Sequence, residues 1–363
     1  MPCDRCSECK ENGQRFCQYC GDYIGEDCEM CESNRRSGAN FCTSCGRPFF
    51  ERQAPYNPPS TKETLLHIGF IVGVVTTVLW SIYLIFELLV ALGNFGNVFD
   101  HLANFNSTII IVIPKVTTIW TLSGTGLQIY WVLLVIVLVA CLGYLFYKAA
   151  GPAKKLVKEK DKKAISNTAL FEVCVLFAAL YAFEFAFALV LTALGVDMQG
   201  LPERETWLWM FDLLEAPVWE EIITRILYLG VPLAIYYAVK KKKGAWKCIF
   251  GGNIKIDRFA LIFIIFSAFM FGAGHLSGWG AWKFVPTFLF GLIAGYLFCK
   301  YGVYATIAMH FLTDYIQAEE WALGSQVIYV LLLLITALAC APYLYVYAKK
   351  GLTEMARIIK GDH

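Results

Sequence analysis

Charge is scarce in this chain: only 17% of its 363 residues are Asp, Glu, Lys or Arg, while 58% are hydrophobic and the mean hydropathy is +0.54. Soluble domains carry about 25% charged residues, so that class is excluded and the chain reads as an integral membrane protein. Histidine is rarer still, with positions 67, 101, 275, 310 and 363 only. No secretory signal precedes the N-terminal cysteines, and no basic, aromatic face stands among them. Neither a secreted disulfide framework nor a nucleic-acid surface is therefore expected. The two halves of the apolar region share no internal similarity, which argues against the inverted repeats of a transporter. A net charge of +2 selects no partner.

What is present divides near residue 50. Nine of the fourteen cysteines fall within the first 45 residues. Eight of them form a repeat: Cys3-x2-Cys6-x10-Cys17-x2-Cys20 returns 25 residues later as Cys28-x2-Cys31-x10-Cys42-x2-Cys45, and Gly13, Phe16 and Gly21 return as Gly38, Phe41 and Gly46. Each unit offers four thiolates in two knuckles, which suits a closed tetrahedral Zn2+ site in a segment too small to fold on a core of its own. Each resembles a zinc ribbon, so two structural zinc sites are expected, with a protein as the partner of the ribbons. Cys9 falls outside the repeat phase. Cys141, Cys174, Cys248, Cys299 and Cys340 read as small buried hydrophobes.

The expected organisation is a double zinc ribbon over 1–50, a proline-rich linker over 51–63, a membrane domain over 64–350 and a cytoplasmic tail over 351–363. The fold class is an all-α polytopic membrane protein. Eight apolar stretches have the length for a hydrocarbon layer of about 30 Å: 64–92, 127–147, 167–195, 206–239, 259–275, 283–300, 303–322 and 326–348. The run Ile109 to Ile113, stopped by Pro114, is too brief to span and is placed in an interfacial loop. Segments 148–163 and 240–258 carry seven and six lysines, whereas 93–126, 196–205, 276–283 and 323–325 hold only Lys115, Arg204 and Lys283. With eight spans the basic loops share one side, which puts both termini and the ribbons in the cytoplasm, where thiols stay reduced. The bilayer is the cell membrane, or that of the endoplasmic reticulum in a eukaryote.

Ionisable residues inside the apolar stretches are costly, by about 2.5 to 3.5 kcal/mol each on insertion, and so point to function. Six stand out: Glu220, Glu221, Arg225, His275, His310 and Asp314. On a helix, Glu221 and Arg225 share a face and pair, while Glu220 projects about 100° away and is left as the candidate general base. Pro217, one turn upstream, loosens that helix. His310 and Asp314 form a second i, i+4 pair. Together the groups offer a base, imidazoles and an oxyanion partner for acyl hydrolysis by water.

The order E-E-x-x-x-R (Glu220, Glu221, Arg225), F-x-x-x-H (Phe271, His275) and H-x-x-x-D (His310, Asp314) resembles the CAAX protease and bacteriocin-processing enzyme family, type 2 CAAX prenyl endopeptidases included, over about residues 200–325. The resemblance implies an intramembrane endopeptidase acting on a membrane-anchored or prenylated peptide. Glu220 would activate water with help from His275, while His310 and residue 314 stabilise the oxyanion. Asparagine is frequent in the family where this chain has Asp314, and an ionised carboxylate cannot donate to an oxyanion. Asp314 is therefore protonated, or orients His310, or ligates a metal. Glu220, His275 and His310 would also suit a catalytic zinc, so the metal question stays open. The alternative function is a non-catalytic or proton-coupled membrane protein, transporter or scaffold, whose ribbons recruit a partner.

One geometric tension accompanies this reading. Counting about 1.5 Å per residue along each stretch brings Glu220 and His310 to matching depth but leaves His275 roughly 10 to 15 Å away along the membrane normal.

Overall fold

The structure is a computed structural model, and it describes residues 3–49, 60–113, 115–198, 200 and 202–360. Most of the expected linker, residues 51–59, lies outside that set, as do the last three residues of the expected tail. The chain separates into two compact units, Met1–Thr64 and Leu65–His363.

In the first unit both cysteine repeats fold alike. A short helix follows the first knuckle in each, Cys6–Glu11 and then Cys31–Arg36. An isolated antiparallel bridge brackets the second knuckle, Phe16 with Tyr23 and Phe41 with Pro48. The glycines that recur in the sequence recur in conformation, because Gly13, Gly21, Gly38 and Gly46 all sit at φ between +72° and +76°. A side chain at such a φ is strained, which is the physical reason for glycine at these turns.

The second unit is helical, with one hairpin. Helix α1 (Thr61–Gly93) starts from a reciprocal cap: the Glu63 carboxylate accepts from the Ser60 backbone N–H at 2.8 Å, and Ser60 Oγ accepts from the Glu63 N–H at 3.3 Å. A short α2 (Phe95–Leu102) leads into antiparallel strands β1 (Asn106–Ile113) and β2 (Lys115–Ser123). These β-branched residues therefore form a hairpin rather than the expected loop. Then come α3 (Gly124–Glu159), α4 (Ala169–Ala193) and the long segment 206–239. That segment is α5 (Thr206–Glu221), a π-helical stretch Ile222–Gly230, and α6 (Val231–Val239). Helices α7 (Arg258–Trp279) and α8 (Phe284–Lys300) follow, with Asp257 capping α7 through the Ala260 N–H at 3.0 Å.

Among the described residues, seven helices are long and apolar enough to cross a membrane, against eight expected stretches. The difference is 303–322, which the structure divides into α9 (Val303–Asp314), a 3-10 turn (Tyr315–Gln317) and α10 (Ala318–Leu323). Helix α11 (Val327–Lys360) runs on through the residues expected to form a tail. The main core is continuous between α1, α3, α4, α5, α8 and α9, with Trp80, Trp131 and Phe211 fully buried within it. Helices α7 and α8 cross closely, since a methyl group on Gly291 would come within 2.7 Å of the Ala268 backbone.

Candidate active site

The helix carrying Glu220 and Glu221 changes winding at its next residue. A π-helical stretch beginning at Ile222 widens the turn, a distortion that recurs at functional sites. Pro217 lies inside α5 one turn earlier, where its missing N–H already weakens the helical ladder. Glu221 and Arg225 both point inward and are fully buried, with Glu221 Oε2 3.1 Å from Arg225 Nε. The guanidinium also donates to Ser267 Oγ at 2.7 Å, and that hydroxyl in turn donates to the Thr224 carbonyl at 2.5 Å. Phe271 covers the guanidinium, 5.3 Å from its ring centroid.

His310 joins this pair to the rest of the site. Its Nδ1 lies 3.0 Å from Glu221 Oε1, its Nε2 lies 3.2 Å from Asp314 Oδ2, and only 4% of its side chain is exposed. Phe271 and Phe290 hold the ring on two sides, at centroid separations of 5.5 and 5.0 Å. With a carboxylate at each nitrogen, the imidazole has an acceptor on both sides.

Glu220 takes the other direction, as a 100° turn of the helix requires, and its side chain is 37% exposed to a cavity. Its Oε2 lies 3.9 Å from His310 Nε2 and 4.0 Å from His275 Nε2. His275 Nδ1 is held by the Phe271 carbonyl at 2.8 Å, so in the neutral ring Nε2 is the acceptor facing Glu220. The expected depth mismatch of His275 is thus overturned. Helix α7 continues four residues past His275, to Trp279, which sets the histidine about 6 Å further from the helix end than the count assumed.

All six residues singled out from the sequence converge, with Glu220, His275 and Asp314 on the wall of a cavity of about 580 Å³. Others in the wall carried no mark in that reading. Glu215, which accepts from the Tyr130 hydroxyl at 2.9 Å, lines it one turn and a half before Glu220. Arg204, ion-paired to Asp212, lines it as well. Strand β1 forms a further wall, tied to the helix by Trp219 Nε1 donating to the Ile110 carbonyl at 2.9 Å and Tyr228 donating to the Val112 carbonyl at 2.6 Å.

Residues 202–316 match a family model described as Type II CAAX prenyl endopeptidase Rce1-like. Over these residues the chain is similar to that Rce1-like family. Neither the curated proteins nor the solved structures yield a match. The match begins just before α5 and ends just after Asp314, so the matched segment contains all six polar residues and leaves out the ribbons, the hairpin and α1 to α4. The family implies a membrane peptidase of the CAAX type.

Two further clusters could hold metal. Cys3, Cys6, Cys17 and Cys20 form one and Cys28, Cys31, Cys42 and Cys45 the other, each with its sulfurs within 4.8 Å of one another. Neighbouring sulfurs stand 3.5 to 3.7 Å apart. A tetrahedral ion with metal–sulfur bonds of about 2.3 Å would separate them by about 3.8 Å, so the donors fit. No disulfide joins any of the fourteen cysteines. Within the first cluster the thiols are pushed apart: burial raises Cys6 to about 12, while Cys17, against its own burial, is brought down to about 6 by backbone N–H groups of Cys20 and Tyr19 and the neighbouring sulfurs. Cys9 is buried but stands outside the cluster. Among the described residues, Glu220, His275 and His310 do not form such a group.

Proposed function

We propose that this protein is an intramembrane endopeptidase that hydrolyses a peptide bond in a membrane-anchored, prenylated substrate, using Glu220 as general base. The observation that carries the reading is the position of Glu220 Oε2, 4.0 Å from His275 Nε2 and 3.9 Å from His310 Nε2, on the wall of a cavity. That separation is too long for a direct hydrogen bond and suits a bridging water. Glu220 takes one proton from this water, and His275 Nε2 accepts a hydrogen bond from the O–H that remains. The resulting hydroxide adds to the scissile carbonyl. His310 faces the developing oxyanion with Nε2, backed on Nδ1 by the Glu221 carboxylate at 3.0 Å. Asp314, 3.2 Å from Nε2, orients that ring. Arg225 fixes Glu221 and touches no reacting atom. Glu220 then passes its proton to the leaving amine.

The two cysteine clusters hold structural Zn2+ and stabilise the N-terminal unit, which recruits a protein partner. With α9 and α10 together making an eighth crossing, both ends of the chain and the basic loops face the cytoplasm.

The deciding experiment incubates wild type and Glu220→Gln in lipid vesicles with a farnesylated C-terminal peptide and, separately, an unlipidated membrane peptide. Mass spectrometry follows the products. Cleavage of the farnesylated peptide by wild type alone supports the assignment; equal cleavage by Glu220→Gln overturns it.

A further inference from the structure

Strand β1 lies outside the Rce1-like match, yet Ser107, Thr108, Ile110 and Val112 line the same cavity as Glu220 and His275. Among the described residues it has a partner strand on one edge only. Along an antiparallel strand, successive residues aim their N–H and C=O alternately at the partner and away from it. Ile110 and Val112 aim away, since their carbonyls accept from Trp219 and Tyr228 on the catalytic helix. The register shift between Ile109 and Ile110 places its extra residue in β2, so the alternation along β1 is unbroken and Thr108 shares the outward phase. The carbonyls at 110 and 112 are thus taken up by the helix. Among the described residues, no hydrogen bond reaches the outward main-chain groups of Thr108. That position lies two residues, roughly 7 Å, along the strand from the contact with Trp219, the neighbour of Glu220.

A substrate peptide at membrane depth presents a second requirement. Its scissile bond is accessible only after local unwinding, and every N–H and C=O freed in an apolar setting needs a partner. An open strand edge supplies such partners whatever the side chains. The segment Asn106–Ile113 carries no charge, which fits an apolar guest.

We propose that the outward edge of β1 at Asn106–Thr108 takes the extended substrate as an added strand and delivers its main chain to Glu220. This rests on the peptidase reading, and it adds that the substrate is held by its backbone, by a hairpin the family domain does not include.

The test uses the full-length Glu220→Gln chain in phosphatidylcholine vesicles, which binds without turnover. Affinity is measured for a fluorescent farnesylated peptide and for a series methylated at one backbone nitrogen each. Strand addition gives an alternating pattern in which methylation at every second position weakens binding by about tenfold or more and the intervening positions are tolerated. On the protein side, Thr108→Pro removes the outward N–H and is expected to weaken binding by a similar factor. Binding that is indifferent to methylation, uniformly weakened by it, or absent for the unmethylated peptide overturns the proposal. Cleavage of that peptide by wild type is read separately: an alternating binding pattern without cleavage sinks the catalytic assignment and leaves strand addition standing.

Discussion

Glu220 and His275 belong to different helices and meet with Oε2 4.0 Å from Nε2. The histidine is otherwise held by a carbonyl of its own helix, so its side chain contributes little to packing between helices. His275→Ala is therefore expected to lower kcat by a factor of about 10² to 10⁴, the usual range for an acid–base partner, with KM and thermal stability close to wild type. Parallel kinetics and detergent melts check this. A fall in Tm matching the loss of activity would assign His275 a structural role instead.

Arg225 and Glu221 predict the opposite split. Both are fully buried, and removing one partner leaves an uncompensated charge, which costs about 3 to 5 kcal/mol. Arg225→Ala also removes the donor to Ser267. It should lower Tm sharply and reduce the yield of folded protein, and Arg225→Lys should recover part of the stability but not the two-pronged geometry. Thermal unfolding in a single detergent provides the measurement, and a wild-type Tm for Arg225→Ala would refute the supporting role.

The legible parts of this molecule were those set by local spacing. The cysteine repeat places its sulfurs by counting, and Glu221 with Arg225, or His310 with Asp314, meet because residues four apart share a helical face. Depth in the membrane was not legible, because it depends on where α7 ends, four residues beyond the stretch its hydropathy marked. The break of 303–322 at Asp314 was hidden for a related reason: between Val303 and Leu323 there is neither glycine nor proline to mark it. Nor did the apolar run 109–113 disclose its role, since strand pairing and contact with Trp219 and Tyr228 join residues far apart in the chain. Glu215 stood in view in the same segment as Glu220, but without a charged partner at helical spacing it gave no signal.

Asp314 lies 3.2 Å from His310 Nε2 with 23% of its side chain exposed, so its charge is not indispensable to the fold. An amide of the same shape keeps an oxygen for the ring and adds a donor toward the cavity. Asp314→Asn is expected to retain activity within about tenfold of wild type, whereas Asp314→Ala, which frees the imidazole, should lose about 100-fold or more in kcat. Equal losses in both variants would mean that the carboxylate itself takes part.

The cysteine clusters predict two zinc ions per chain. Cys17→Ser should leave one and the combined Cys17→Ser, Cys42→Ser variant none, as read by mass spectrometry of the metal. Each loss should unfold its own ribbon, because structural zinc contributes roughly 10 kcal/mol or more to such a fold. Zinc retained at one equivalent in the double variant would place an ion outside the clusters and reopen a metal role at Glu220 and the two histidines.

Gly274, next to His275, packs against the hairpin: a methyl group added there would stand 3.2 Å from Val112 Cγ2. Behind that contact Ile111 is packed between Ile223, Tyr228 and Met270, so the strand cannot retreat without opening a small core of its own. Gly274→Ala should shift β1 by a few tenths of an ångström and Gly274→Leu should displace it, at about 1 to 3 kcal/mol for the overpacking. Because the strand is a wall of the cavity and holds none of the proton-transferring groups, the expected kinetic effect is a raised KM with kcat largely kept, and it should be mimicked by Trp219→Phe, which deletes the bond to the Ile110 carbonyl. A kcat that falls with unchanged KM in both variants would show that the hairpin acts on the catalytic helix rather than on the bound substrate.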